Sequence, residues 1–146
     1  ALPGTTSAAI QGPPGSPSQE YFDGYNSGTV AIKQNDWVAL DVGNTSAHYN
    51  GIVRGVHGAT INQCIGIAMD AIAVGGTGRI CVGGPVQGKA GAAGVTAGNL
   101  LSPSTVSTDD GELVAASSPT AGQVIGICLQ TQATGGGLFF MWVFKA

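Results

Sequence analysis

The sequence predicts an all-β fold, a small barrel or β-tulip-like domain built from two similar β units, and three observations carry that expectation. First, a segment occurs twice. Cys64-Ile65-Gly66-Ile67-Ala68-Met69, with Ala73 and Gly75-Gly76 after it, returns sixty residues later as Val124-Ile125-Gly126-Ile127-Cys128-Leu129, with Ala133 and Gly135-Gly136. Second, glycine supplies 25 of 146 residues, which breaks long helices because each glycine costs about 1 kcal/mol relative to alanine in a helix interior. Third, the apolar runs are short, rich in β-branched residues and bounded by glycine or polar turn residues, as strands are. A shorter unit also recurs, since Ile32-Lys33-Gln34-Asn35-Asp36-Trp37-Val38 has the shape of Val95-Thr96-Ala97-Gly98-Asn99-Leu100-Leu101. The organisation read from this is an extended arm over 1–20 and a single β domain over 21–146, duplicated internally over about 30–84 and 93–144.

The first segment differs from the rest. Gln11-Gly12-Pro13-Pro14-Gly15-Ser16-Pro17-Ser18 combines prolines that fix φ and remove amide donors with glycines that oppose regular structure. An extended arm and a disordered tail both fit that composition. Leu2 and Ile10 are apolar points suited to docking on a neighbour, which favours the arm.

Strands follow from Tyr21 onward. Residues 30–40 place Val, Ile and Trp around a polar turn at Gln34-Asn35-Asp36, and 51–56 is a β-branched run between glycines. Residues 68–73 are the best helix candidate, yet Gly75-Gly76 interrupts them and a strand leaving the core into a loop fits better. Asp110-Gly111, between Val106 and Leu113-Val114, signals a tight hairpin, because Asp-Gly readily takes positive φ. Gly66 and Gly126 interrupt strand runs at equivalent places, which marks a bulge or the close approach of another backbone. The last run, Leu138-Phe139-Phe140-Met141-Trp142-Val143-Phe144, does not alternate with polar residues, so both of its faces are expected to be buried. One face would fill its own core; the other would meet a partner or a second layer of the same subunit.

Composition narrows the function. One core suffices for a chain of this length. Five basic and eight acidic residues give a net charge of −3. Lys33, Arg54, Arg79, Lys89 and Lys145 are scattered, which argues against direct binding of nucleic acid. So few charges leave a lone chain poorly covered, and burial against other subunits is expected. Cys64, Cys81 and Cys128, odd in number and set in apolar runs, fit buried thiols of a reducing compartment. No secretion signal is read at the amino terminus, where the first lysine is Lys33, and no apolar run approaches the roughly 20 residues of a membrane-spanning helix.

No reactive constellation emerges. His48 and His57 are the two histidines, with Asp41 and several serines nearby in sequence, but nothing resembles a nucleophile elbow. Histidines nine apart and cysteines 17 and 47 apart match no usual metal-ligand spacing. Thr108-Asp109-Asp110-Gly111-Glu112 lacks the alternating oxygens of a calcium loop and reads as a solvated turn. The glycine clusters at 75–78, 83–84 and 135–137 lack the Lys-Ser/Thr pair of a phosphate loop. Trp37 and Trp142 lie in apolar strand contexts, so core packing is preferred to a sugar platform. The expectation is therefore no enzyme, no catalytic or metal residue and no cofactor.

In motif order the chain resembles the small capsid decoration, or cement, proteins of tailed bacteriophages. The resemblance covers about 28–144. It rests on Asn35-Asp36-Trp37-Val38-Ala39-Leu40, Ile65-Gly66-Ile67-Ala68, Gly84-Pro85-Val86, the run from Val95 to Leu100, and Ile125-Gly126-Ile127-Cys128-Leu129. Each motif is weak alone; their order is more specific. The resemblance implies a homotrimer on the outer surface of the virion head, synthesised in the host cytoplasm, with an amino-terminal arm laid over the major capsid protein. Its role would be to clamp neighbouring capsid subunits, with no membrane partner. Leu2, Pro3, Ile10, Pro13 and Pro14 are then the expected capsid contacts, and Phe139, Phe140, Trp142 and Phe144 the expected oligomer or core strand. The final strand carries more aromatic residues than that family leads one to expect. A carbohydrate-binding or host-adhesion module on a virion surface is the alternative, and it predicts an exposed Trp or Tyr on a shallow face.

Overall fold

The computed structural model describes residues 19–42, 48–55, 64–106, 108–116 and 124–144, and every regular element within them is a β-strand. In order these are β1 (Glu20–Asn26), β2 (Trp37–Leu40), β3 (Gly51–Arg54), β4 (Cys64–Ala68), β5 (Thr77–Lys89), β6 (Leu100–Pro103), β7 (Leu113–Ala115), β8 (Gly126–Cys128) and β9 (Leu138–Val143). They form one sheet of order β1-β3-β2-β4-β5-β9-β8-β6-β7, and β1 also pairs with β5. The strands β1, β3, β2, β4 and β5 therefore close into a five-stranded barrel, in which β1–β3 is the parallel pair and the other ladders are antiparallel.

The long strand β5 serves both halves of the molecule. Up to Gly83 it pairs with β1 and β4; from Gly84 to Lys89 it pairs with β9. Gly84, at φ 92°, takes the left-handed conformation at this changeover, which a side chain would strain. Beyond it β9, β8, β6 and β7 curl round until Leu113 bridges Ala90 at the end of β5. The pairing pattern is the same on either side. β2 pairs with β3 and β4, and β4 with β5, as β6 pairs with β7 and β8, and β8 with β9. Even the bridge before the first strand of each set corresponds, Ile32 with Ile72 and Val95 with Gln132.

Two apolar clusters result. Ile32, Val38, Ile52, Ala68, Ile72 and Ile80 fill the first barrel. Trp37, Ala39, Ile67 and Cys81, the alternate residues of the same strands, instead join Leu101, Leu113, Cys128, Phe139, Met141 and Val143 of the second unit. Strand β2 is thus buried on both faces, with Trp37, Val38 and Ala39 all fully enclosed. The final strand is not. In β9 Phe139, Met141 and Val143 face inward and fill the chain's own core, while Leu138, Phe140 and Trp142 are exposed in the single chain, so among the described residues no second layer of the same subunit covers the outer face, and Trp142 does not take the core position expected of it.

The expectation for Gly66 and Gly126 holds. A Cβ at Gly66 would sit 2.2 Å from the Cys81 carbonyl oxygen, and one at Gly126 would sit 2.3 Å from that of Trp142. Each lets a neighbouring backbone close over it, and the β2–β4 register shifts between Val38 and Ala39 just beside Gly66. Because the obstacle is backbone, Gly66→Ala and Gly126→Ala are each expected to cost about 1–3 kcal/mol or more. Urea unfolding of the two variants measures this, and a midpoint equal to that of the parent chain contradicts it.

The Asp110-Gly111 pair does not form a tight hairpin. Residues 104–112 connect β6 to β7, and the positive φ of Gly111, 82°, has a packing cause: a Cβ there would lie 2.3 Å from Asp36 Oδ1.

Candidate interaction surface

The side chains that β9 turns outward continue across its neighbours. Direct register partners share a face, so Trp142 lines up with Pro85 on β5 and with Ile127 on β8, which in turn faces Leu100 on β6. One step along, Leu129 donates its N–H to Phe140 O at 2.9 Å. Leu100, Leu129, Leu138, Phe140, Trp142 and Phe144 are all exposed, between 39% and 52%. The one ionisable register partner, Lys89 opposite Leu138, sends its ammonium to Asp36 instead. The result is an open sheet face that is apolar apart from Gln87, the register partner of Phe140.

Of the residues singled out from sequence, Phe140, Trp142 and Phe144 lie on this face, whereas Phe139 is fully buried in the core. Leu2, Pro3, Ile10, Pro13 and Pro14 lie outside the described residues. Leu100, Leu129 and Leu138 were missed. Their signal is parity: leucines in short strands whose alternate residues are small or buried.

A polar seam joins the two halves beside this face. Asp36, fully buried, accepts a hydrogen bond from Arg54 Nε and one from the Lys33 N–H, both at 2.9 Å, and makes an ion pair with Lys89 Nζ. Arg54 also donates to Asp110 O at 3.1 Å, so this cluster ties the first barrel to the 104–112 connection. Asp109, read from sequence as part of a solvated turn, is buried there and accepts from Ser104 Oγ at 3.1 Å and from the Ala92 N–H at 3.2 Å.

Burial, and then the Asp109 carboxylate, push Glu112 above its ordinary range, while Lys89 pulls it back. The folded chain therefore prefers Glu112 protonated. That stabilisation is complete below pH 4.5 and is lost as the pH rises through the raised value in the folded state. Asp70 behaves oppositely. Its hydrogen bonds with Arg79 lower it, so its contribution is present above pH 3.8 and is lost on further acidification. Glu112→Gln is expected to raise the melting temperature at pH 7. It should also flatten the gain in stability on acidification from neutrality. Calorimetry at several pH values tests both, and an unchanged or lowered melting temperature at pH 7 contradicts the assignment.

The other residues considered for chemistry are spread apart. His48 stacks on Tyr25, ring centroids 3.7 Å apart, while Ser27 Oγ donates directly to the Asp41 carboxylate. His57 lies outside the described residues. All three cysteines are free thiols, and burial pushes each of them up, Cys64 to about 12. They are neutral packing groups at physiological pH. Among the described residues no cluster of His, Cys, Asp and Glu has a metal-binding arrangement.

Fold and surface together define an all-β barrel protein with one open apolar face. No family model matches the chain, and no curated protein does. Among solved structures it is similar to the head fiber gp8.5 N base of bacteriophage phi29. The TM-score is 0.55 at 13% identity, covering 86% of this chain and 93% of that one. This likeness shows a shared fold.

Proposed function

We propose that this chain is a structural protein of a bacteriophage head, a decoration protein that seats as a homotrimer on the outer surface of the shell and clamps neighbouring major capsid subunits. The observation that carries this reading is the fold it shares with the base of a phage head fiber over 86% of its length. The open apolar face adds a surface that needs a partner.

In this reading the protein acts through attachment, without catalysis, cofactor, nucleic acid or membrane. A shell under internal pressure fails where its subunits part. An oligomer bridging several subunits holds each lost contact at high effective concentration, so local separation is reversed before the clamp dissociates. The segment before β1 would extend that reach, since about 18 residues can span up to roughly 60 Å when fully extended. Leu2, Pro3, Ile10, Pro13 and Pro14 are the proposed capsid contacts.

Co-sedimentation with empty expanded phage shells tests the proposal. The full chain is expected to pellet with the shells, and a form lacking residues 1–18, which leaves β1 whole, to bind more weakly. A full chain that stays in the supernatant overturns the clamp; full binding by the truncated form removes the arm's role.

The host-adhesion reading gains one observation, the exposure of Trp142 and Tyr49. Trp142, however, lies between Pro85 and Ile127, whose side chains offer sugar hydroxyls no hydrogen bonds. Glycan-array binding by the isolated protein would reverse this preference.

A further inference from the structure

The open face of β9, β8 and β6 has the chemistry of a contact between identical chains, and we infer that a second copy of this chain covers it. The inference specifies where the self-contact of the proposed function lies, yet it stands on this surface and needs no shell. Leu100, Leu129, Leu138, Phe140, Trp142 and Phe144 are each exposed by 39–52%, which leaves on the order of 500 Å² of apolar surface in one patch. The largest apolar patch on a typical monomer is about 300–600 Å² and often marks a functional contact. The face also supplies more than half of the roughly 800 Å² that each partner gives to a standard interface.

Charge selects the occupant. No described ionisable side chain lies open on the face: the ammonium of Lys89, opposite Leu138, is only 15% exposed and is bound to Asp36. Copies of the face gathered around a three-fold axis therefore meet without like-charge contact and without stripping water from an ion. Contacts between unlike proteins carry polar and charged groups that select the partner, whereas interfaces between identical chains are more apolar, about 65%. An aromatic strand face left bare is also an aggregation hazard, and sister copies are the partners present from synthesis onward.

The test needs the purified full chain and no shell. Light scattering after gel filtration is expected to give a multiple of 14.4 kDa. Replacing two anchors together, Phe140→Ser with Trp142→Ser, should weaken association by about 100-fold or more. Tyr49→Ser, at a fully exposed residue of the first barrel, should leave it unchanged. A parent chain of single mass at every concentration, or a double variant that associates as tightly as the parent, overturns the inference. Hydroxyl-radical labelling of the parent chain decides the matter even if the variant does not fold. Phe140 and Trp142 should be labelled several-fold more slowly than their exposure in the single chain predicts, and labelling at the full rate overturns the contact. A chain that assembles alone but ignores shells keeps this interface and loses the clamp. A monomer that binds shells through Phe140 and Trp142 does the reverse.

Discussion

Replacing Asp36 by asparagine is expected to destabilise the chain by about 3–5 kcal/mol, because it removes the anion while leaving its two cations in place. Asp36 is fully buried between Arg54 Nε at 2.9 Å and the ammonium of Lys89, whose contact with Oδ1 is an ion pair rather than an aligned hydrogen bond. These partners come from β3 and from the end of β5, and Arg54 goes on to hold the Asp110 carbonyl. A neutral amide leaves two charges poorly compensated at the junction of the two halves. At about 2–4 °C per kcal/mol for a chain of this size, the melting temperature should fall by about 10 °C. Equilibrium unfolding measures the loss directly. A double-mutant cycle with Lys89→Met isolates the ion pair. A loss below about 1 kcal/mol for Asp36→Asn would mean that water reaches the site and the seam is not closed.

The two tryptophans should respond in opposite ways. Trp37 is fully enclosed between the halves, and Gly55 leaves room for its ring, since a Cβ there would come within 2.2 Å of Trp37 Cδ2. Trp37→Ala is therefore expected to cost about 3–5 kcal/mol through lost contacts and the cavity left behind. Trp142 is 41% exposed on the outer face. Trp142→Ala should cost the dissociated chain no more than about 1 kcal/mol, as surface substitutions do. Its effect should appear in self-association instead. Urea unfolding of both variants at low protein concentration makes the comparison, and equal losses would place Trp142 in the core after all.

Several elements are legible in the amino-acid sequence alone. The recurring Ile-Gly-Ile segments are β4 and β8, and the turn at Gln34-Asn35 precedes β2 with Asn35 at φ 74°. The glycines inside the repeats are close-approach points, because a residue without Cβ in an apolar strand run has few other uses. The connection from β6 to β7 is less legible for a related reason. Asp-Gly signals positive φ wherever it stands, and Gly111 has it, but β7 begins only at Leu113, ten residues after the end of β6, and Asp109 is buried within that connection.

What the sequence determined by itself is the class of fold: strands in place of helices, and repeated glycine approaches. These follow from propensities and spacings that act over a few residues. Only the tertiary structure decided which strand is buried on both faces and which keeps one face open. In β9 the inward Phe139, Met141 and Val143 and the outward Leu138, Phe140 and Trp142 are all apolar, so no alternation in the chain could tell the two sets apart. In the same way, Asp36, Arg54 and Lys89 are far apart in sequence and meet only because β5 runs through both halves. Burial is settled by what packs against a residue, and for these groups the neighbours come from distant parts of the chain.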